Sequence, residues 1–217
     1  QKIETIRRNL KKDTASIEVL DLGAGSINGK KNSRRRIADI AKSALKPSKQ
    51  SQLLFRIVNY FNPSTILELG TSLGTSTAYL ASAAPNSQII SLEGAPEIAN
   101  IAQKNFNNLN IQNIQISVGD ISKTLNPALE KLKKVDFVFF DANHKKKPTI
   151  DYFEQCLPFI TNNSVFVFDD IHWSAEMEDA WNYIKQHQKT KVTIDLFYLG
   201  IVFFKNELQK QNFIIRQ

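Results

Sequence analysis

The stretch TILELGTSLGTST, residues 65–77, decides the fold of this chain. TILEL has the composition of a buried strand, Gly70 and Gly74 follow in a turn of small residues, and the next run suits a helix. Glycines at such a junction let the backbone approach a ligand closely, and the new helix presents unbonded N–H groups. The junction therefore predicts a nucleotide-like ligand. The G-x-G-x-x-G dinucleotide pattern is absent, because Ser72 stands at its second glycine.

Short β-rich runs alternate with helix-compatible segments from Ser64 onward: TILEL, QIISLE, IQISV, VDFVFFD and SVFVFDD. Runs so apolar, with helices between them, are typical of a parallel sheet that is covered on both faces. We expect Ser76 to cap the helix TAYLASAA. The tail adds VTIDLFYL, IVFFK and NFIIR, which predicts a closing antiparallel pair. The expected fold is α/β, doubly wound and mostly parallel.

The first 50 residues lack this alternation and are strongly basic. Residues 1–50 hold 13 basic and 5 acidic side chains, a net charge of 13 − 5 = +8, whereas residues 51–217 have 15 − 16 = −1. Helical spacing of apolar residues appears in RRRIADIAKSAL and again in SQLLFRIVNYF. We therefore separate a basic N-terminal helical segment or lid, residues 1–50, from a main domain, residues 51–217. Such a segment can meet nucleic acid, an anionic membrane or an acidic substrate, or be a solvated helical face.

Composition narrows the class of protein further. Of the 217 residues, 42% are hydrophobic and 23% are charged, as in an ordinary globular domain. The lone Cys156 excludes an intramolecular disulfide framework and favours the cytoplasm. No apolar run approaches the roughly 18 residues of a membrane span, so we expect no membrane segment. The stretch IEVLDLGAGS, residues 17–26, imitates a glycine-rich motif without any alternation after it, and we interpret it as a turn or part of a lid.

Acidic residues stand at the ends of three successive predicted strands. Glu68 lies in TILEL, Glu93 precedes Gly94, and Asp120 follows VG. The carboxyl ends of parallel strands form the ligand edge of such a sheet. An acid about 20 residues after the glycine turn suits ribose hydroxyls, and Asp120 suits the amino group of an adenine. Because three acids accommodate a pyrophosphate poorly, we predict a cationic cofactor without phosphate.

The motifs ELGTSLGTS, SLEG and VGD resemble, in this order, those of class I S-adenosylmethionine-dependent methyltransferases, over roughly Leu53 to Phe204. The resemblance implies a Rossmann-like, seven-stranded sheet with an antiparallel last strand and N-terminal helices. It also implies contacts to the methionine part, ribose and adenine of S-adenosylmethionine. The residues implied are Glu68, Gly70, Thr71, Gly74, Ser76, Glu93, Gly94, Asp120, Ile121 and Asp141.

Three acids follow the next two predicted strands. Asp141 ends VDFVFFD, and Asp169 and Asp170 end SVFVFDD. So much negative charge in one cleft is costly unless a carboxyl protonates or a cation binds, and oxygen ligands suit Mg²⁺, Mn²⁺ or Ca²⁺ rather than zinc. Alternatively, one Asp caps a helix and another pairs with a lysine of residues 145–147. The arrangement resembles metal-dependent O-methyltransferases of the catechol type and of the macrolide and aminocoumarin sugar type. This resemblance implies that all three aspartates hold Mg²⁺.

His144 lies three residues beyond Asp141, where those families carry a His or Lys base. Its neutral imidazole could take a proton from a substrate hydroxyl that the metal has made more acidic. His172 is the rival base, and an ordinary loop histidine is the alternative. The lysines at 145–147 could bind a substrate anion or lie in a solvated turn. Trp173 could stack on a substrate ring or pack against the strand end.

We therefore expect a small-molecule O-methyltransferase that acts on a hydroxyl of a sugar, a polyol or a catechol-like acceptor with S-adenosylmethionine and Mg²⁺. One alternative is an RNA or protein methyltransferase that uses the basic segment, although an Asn/Asp-Pro-Pro-aromatic motif is absent after strand four. Another is a non-catalytic binding module with a cofactor fold. Nucleic acid is possible but not favoured as a partner, and a homodimer is possible.

Overall fold

The computed structural model describes residues 2–20 and 32–216, so the glycines of the 17–26 stretch lie outside the described residues. The described helices are α1 (Lys2–Leu10), α2 (Ile37–Ala44), α3 (Ser48–Phe61), α4 (Thr75–Ala83), α5 (Pro96–Asn108), α6 (Ile121–Leu132), α7 (Lys146–Cys156) and α8 (Ala175–Gln186), with a 3-10 turn at Leu157–Phe159. The described strands are β1 (Ser16–Leu20), β2 (Asn32–Arg36), β3 (Thr65–Leu69), β4 (Gln88–Glu93), β5 (Ile114–Val118), β6 (Val135–Phe140), β7 (Ile160–Asp169), β8 (Val192–Asp195), β9 (Leu199–Phe203) and β10 (Gln211–Ile214). No helix within these residues is long and apolar enough to cross a membrane.

The main sheet contains eight of the described strands, in the order β10-β8-β9-β7-β6-β3-β4-β5. β9 runs antiparallel to both β7 and β8, whereas β6 runs parallel to β3 and β7. This arrangement confirms the mostly parallel α/β fold with an antiparallel strand near its end. The sheet has one strand more than the seven that the resemblance implies, because NFIIR supplies β10, parallel to β8.

Residues 65–69 and 125–217 form one of two compact units. Its core is rich in phenylalanine from two strands and one helix. Phe140 and Phe168, from neighbouring strands, stack with their ring centroids 4.2 Å apart. The apolar face of α8 is buried, including Met177 and Trp181. Gly200 in β9 permits this packing, because a Cβ atom there would lie 2.7 Å from the Trp181 ring.

Residues 1–64 and 70–124 form the other unit. Its N-terminal part contains the expected helices and also an antiparallel strand pair, β1 with β2, that the sequence did not predict. The helix expected over RRRIADIAKSAL therefore begins only at Ile37. The three arginines before it belong to β2, where Arg35 is the partner of Ile17 and Arg34 that of Glu18. Long-range backbone pairing has overridden the local helical pattern.

The helix after the glycine turn begins earlier than predicted. Gly74 is its N-cap, with φ 77°, and Thr75 is its first residue, so the expected cap at Ser76 was wrong. Glycine adopts this left-handed conformation at little cost, and the helix therefore starts two residues earlier than expected. The helix predicted over SQLLFRIVNYF is confirmed as α3, and Pro96 is the first residue of α5. The division at residue 50 stays a prediction.

Candidate active site

Two aspartates and a histidine converge beyond the carboxyl ends of β6 and β7. Asp141 directly follows β6, and its N–H donates to the Leu69 carbonyl at 2.9 Å. Asp169 is the last residue of β7 and is 3% exposed. Because β6 and β7 are parallel neighbours, both carboxylates lie at the same edge. His144 Nε2 lies 3.7 Å from Asp141 Oδ1, and one ligand atom from each of the three side chains lies within 4.8 Å of the others.

The donor atoms of this cluster fit a divalent cation. Carboxylate oxygens suit Mg²⁺, Mn²⁺ and Ca²⁺, and an imidazole nitrogen extends the set toward transition ions such as Mn²⁺. Among the described residues the grouping contains Asp141, His144 and Asp169 but not Asp170. Asp170 lies just past the strand with φ 54°, and its N–H donates to the Tyr198 carbonyl at 2.8 Å. Metal binding by Asp170 stays a prediction.

Sequence reasoning missed two residues near His144: Asn143, in the turn between β6 and α7, and Tyr152, in α7. Asn143 has φ 66° and His144 has φ 38°, and the His144 N–H closes the turn on the Ala142 carbonyl at 2.9 Å. The Asn143 side-chain amide donates to the Tyr152 hydroxyl at 2.6 Å. Tyr152 also lines a small cavity together with His144 and Asp169. An Asn in the short turn after a predicted strand was the available signal, because Asn tolerates positive φ.

The glycine turn is built by close packing and backbone hydrogen bonds. A Cβ atom on Gly74 would lie 2.7 Å from Phe106 Cε1, so this position admits glycine alone without displacement. The N–H groups of Gly70 and Thr71 both donate to the Leu92 carbonyl at 3.0 Å. The Thr71 hydroxyl lies 2.5 Å from the Ser91 hydroxyl and is buried. The turn is therefore fixed before any ligand arrives.

Glu93, at the end of β4, holds the glycine turn through its carboxylate. Oε2 accepts a hydrogen bond from the Ser72 N–H at 2.8 Å, and Oε1 accepts one from the Ala95 N–H at 2.9 Å. Burial raises the pKa of Glu93 above its ordinary value, against the opposing effect of these backbone donors. Its structural role is thus established, and contact of Glu93 and Gly94 with a ribose stays a prediction.

The remaining predicted cofactor residues lie at strand ends or helix starts. Asp120 Oδ1 accepts hydrogen bonds from the Ser122 N–H at 2.9 Å and from the Ser122 hydroxyl at 2.8 Å, which caps α6. Ile121 is the first residue of that helix. Glu68 is fully buried in β3, and Ser76 is 8% exposed in the first turn of α4. Their contacts with a cofactor stay predictions.

His172, the alternative base, and the lysines Lys146 and Lys147 contact carboxylates outside the cluster of Asp141, His144 and Asp169. His172 Nε2 lies 2.8 Å from Asp195 Oδ2, and its Nδ1 lies 3.1 Å from Glu178 Oε1. Lys146 and Lys147 form ion pairs with Asp179 and Asp151, at 2.9 and 2.6 Å. These contacts favour His144 over His172 as the candidate base.

Trp173 lies three residues after Asp170 and is 73% exposed. Packing against the strand end is therefore excluded for most of its ring.

Residues 67–171 match the family described as "Methyltransferase domain". A catechol O-methyltransferase of Niastella koreensis is 32% identical over 125 residues, which cover 56% of this chain and 56% of that protein. A tRNA (guanine-N(7)-)-methyltransferase of Mycoplasmopsis synoviae is 31% identical over 103 residues, covering 46% and 50%. The chain spans about half the length of the curated relatives that it matches.

A solved structure shares the fold. An O-methyltransferase from Bacillus cereus in complex with SAH superposes with a TM-score of 0.64 at 20% identity, over 74% of this chain and 83% of that one. The order of the motifs, the strand order and the matched family agree. Residues 67–171 are thus similar to the methyltransferase-domain family, and the chain shares the fold of an O-methyltransferase solved with SAH.

Proposed function

We propose that this chain transfers a methyl group from S-adenosylmethionine to a hydroxyl of a small molecule, with a divalent cation, Mg²⁺ or Mn²⁺, held by Asp141 and Asp169. The observation that carries the proposal is the convergence of two carboxylates and an imidazole at one edge of β6 and β7. The relative described as a catechol O-methyltransferase supports an oxygen acceptor with a neighbouring hydroxyl, as in a catechol, a sugar or a polyol.

The cofactor, when bound, would supply a methyl group on a sulfonium, and the cation would lower the pKa of the acceptor hydroxyl. The glycine turn would let the backbone approach this cofactor, and acids at the strand ends suit its positive charge. We propose as its contacts Glu68, Gly70, Thr71, Gly74, Ser76, Glu93, Gly94, Asp120, Ile121 and Asp141.

His144 is the proposed general base. Its imidazole would accept the proton that the acceptor hydroxyl loses as the new C–O bond forms. Asp141, 3.7 Å away, would stabilise the imidazolium by its charge. A positioned base contributes about 10²–10⁴-fold to such a reaction. Asp170 would complete the cation site if its side chain turns toward Asp169 on binding.

The test is formation of S-adenosylhomocysteine and methylated product from S-adenosylmethionine and a panel of catechols, vicinal diols and sugars, followed by mass spectrometry. We expect turnover that needs Mg²⁺ or Mn²⁺, is abolished by the Asp141→Asn, Asp169→Asn double variant, and falls about 10²–10⁴-fold in His144→Gln. Asp151→Asn is the matched control, because its exposed pair with Lys147 contributes little. Turnover that survives chelation and the double variant would refute the cation, and cofactor binding without turnover would favour a binding module.

RNA methylation is a second candidate, favoured by the relative described as a tRNA methyltransferase and by the +8 charge of residues 1–50. Asp141-Ala142-Asn143-His144 stands where an N-methylating enzyme carries its Asn/Asp-Pro-Pro-aromatic motif, which disfavours this candidate. Methylation of a tRNA transcript, without turnover of any small molecule, would favour RNA methylation over small-molecule O-methylation. A cytoplasmic location and a homodimer stay predictions.

A further inference from the structure

The turn that carries His144 has an unfavourable backbone conformation. Asn143 and His144 are consecutive non-glycine residues with positive φ, at 66° and 38°. Positions of this kind are sparsely populated and persist where surrounding contacts determine them. The hydrogen bond from the His144 N–H to the Ala142 carbonyl spans Asn143, which is the pattern of a γ-turn. Some contact outside the turn must therefore hold Asn143 in place.

Tyr152 supplies that contact from the middle of α7. Its hydroxyl accepts a hydrogen bond from the Asn143 side-chain amide at 2.6 Å. Tyr152 is 6% exposed, so packing of the helix fixes the position of its side chain. The other end of the turn is fixed as well, because the Asp141 N–H is bonded to Leu69 in β3. With both ends anchored, the conformation of Asn143 decides where the imidazole of His144 lies relative to Asp141.

We propose that Tyr152, acting through Asn143, is a positioning residue that holds the His144 ring beside the carboxylates of Asp141 and Asp169. This inference rests on the proposed function, since it assigns how the base and the cation site are kept together. Loss of the Tyr152 hydroxyl leaves the packing of the ring intact and lets the turn relax, so the imidazole moves away from the cation site while the fold persists.

The test uses Mn²⁺ as a paramagnetic probe in proton NMR of the whole chain. The sequence contains three histidines, so their Cε1–H signals form a simple set, and the signal missing in His144→Gln identifies His144. In the wild type we expect Mn²⁺ to broaden the His144 signal selectively. Tyr152→Phe should reduce this broadening several-fold at an unchanged thermal midpoint, and turnover should fall about 10- to 100-fold at an unchanged KM for S-adenosylmethionine.

Two further variants separate positioning from general destabilisation. In Tyr152→Phe, the added change Asn143→Gly should restore most of the broadening, because glycine adopts positive φ without outside support. Tyr183→Phe is the matched control: it removes a tyrosine hydroxyl bonded to Glu154 at 2.8 Å, and the broadening should stay as in the wild type.

The results distinguish failure of the positioning role of Tyr152 from failure of the proposed cation site. Broadening of the His144 signal as in the wild type in Tyr152→Phe would overturn the inference. If Tyr152→Phe does not fold, Asn143→Ala takes its place, and broadening as in the wild type in that variant would overturn the inference. If Mn²⁺ broadens no histidine signal in the wild type, the proposed cation site fails instead.

Discussion

At the scale of single residues, the glycine turn depends on Gly74 for two separate reasons. Its φ of 77° is left-handed, and a Cβ atom would come within 2.7 Å of Phe106 and 3.0 Å of Ala102. Phe106 is 1% exposed and belongs to a core cluster, so it cannot move aside freely. Gly74 thus determines where α4 begins and lets α5 pack closely against the glycine turn.

Gly74→Ala should lower the free energy of unfolding by about 2–4 kcal/mol, from the backbone conformation and from overpacking together. Urea unfolding followed by circular dichroism measures this change. Ser82→Ala, at an exposed site on α4, should change it by less than about 0.5 kcal/mol. A similarly small effect in Gly74→Ala would mean that Phe106 repacks and that the steric argument fails.

At the scale of elements, β10 is an addition at the edge of the sheet. All four of its residues are exposed, and it pairs with β8, whose other neighbour is β9. Thr193 donates to Asn212 at 2.6 Å, and Arg216 beyond the strand contacts the Asp195 carboxylate at 3.0 Å. Edge strands with exposed apolar side chains are sites of unwanted pairing between molecules. The hydrogen bond between Thr193 and Asn212 and the contact of Arg216 with Asp195 add local stability. The strand contributes no residue to the candidate site.

Deletion of residues 209–217 should lower the free energy of unfolding by about 1–3 kcal/mol through lost hydrogen bonds and the Asp195 contact. Mn²⁺ affinity should remain within twofold of the wild type, as measured by titration calorimetry. Arg216→Gln shows how much of the loss belongs to that ion pair. If the deletion abolished Mn²⁺ binding, β10 would be part of the framework that supports the site.

At the scale of the whole molecule, two histidines oppose each other in their effect on stability. Burial would lower the pKa of His172, but the hydrogen bonds that its ring makes to the Asp195 and Glu178 carboxylates raise this pKa above its ordinary 6.5. Burial lowers the pKa of His187, which Glu154 only partly opposes. The His172 contribution is fully present below pH 6.5 and is lost as the pH rises through its folded pKa. The unfolded chain binds the His187 proton more tightly, so this residue destabilises the fold in acid and ceases to do so as the pH rises through 6.5.

The two single variants should therefore diverge between about pH 5 and pH 8. Relative to the wild type, His172→Gln should lose most stability at the acid end and approach the wild type as the pH rises. His187→Gln should show its relative advantage at the acid end. Thermal midpoints in matched buffers of constant ionic strength measure both profiles. Parallel profiles for the two variants would contradict the assigned pKa directions.

Local pattern was enough to predict most of the sheet and part of the site. Apolar runs of strand length between helical segments leave few arrangements other than a covered parallel sheet, and the strand-end acids must then share its edge. This reasoning placed Asp141 and Asp169 side by side, and the structure agrees. In AEMEDAWNYIKQ, apolar residues recur at helical spacing, and the structure buries these residues on one face of α8: Met177, Ala180, Trp181 and Ile184.

Contacts between residues far apart in the sequence decided the rest. The arginines of β2 pair with β1, although their local pattern resembles the start of a helix. At the site, the sequence predicted a cluster of three aspartates, Asp141, Asp169 and Asp170, whereas the structure groups Asp141 and Asp169 with His144. The physical reason is that side-chain direction beyond a strand end depends on φ. Here that angle is fixed by tertiary hydrogen bonds, from the Asp170 N–H to Tyr198 and from Asn143 to Tyr152.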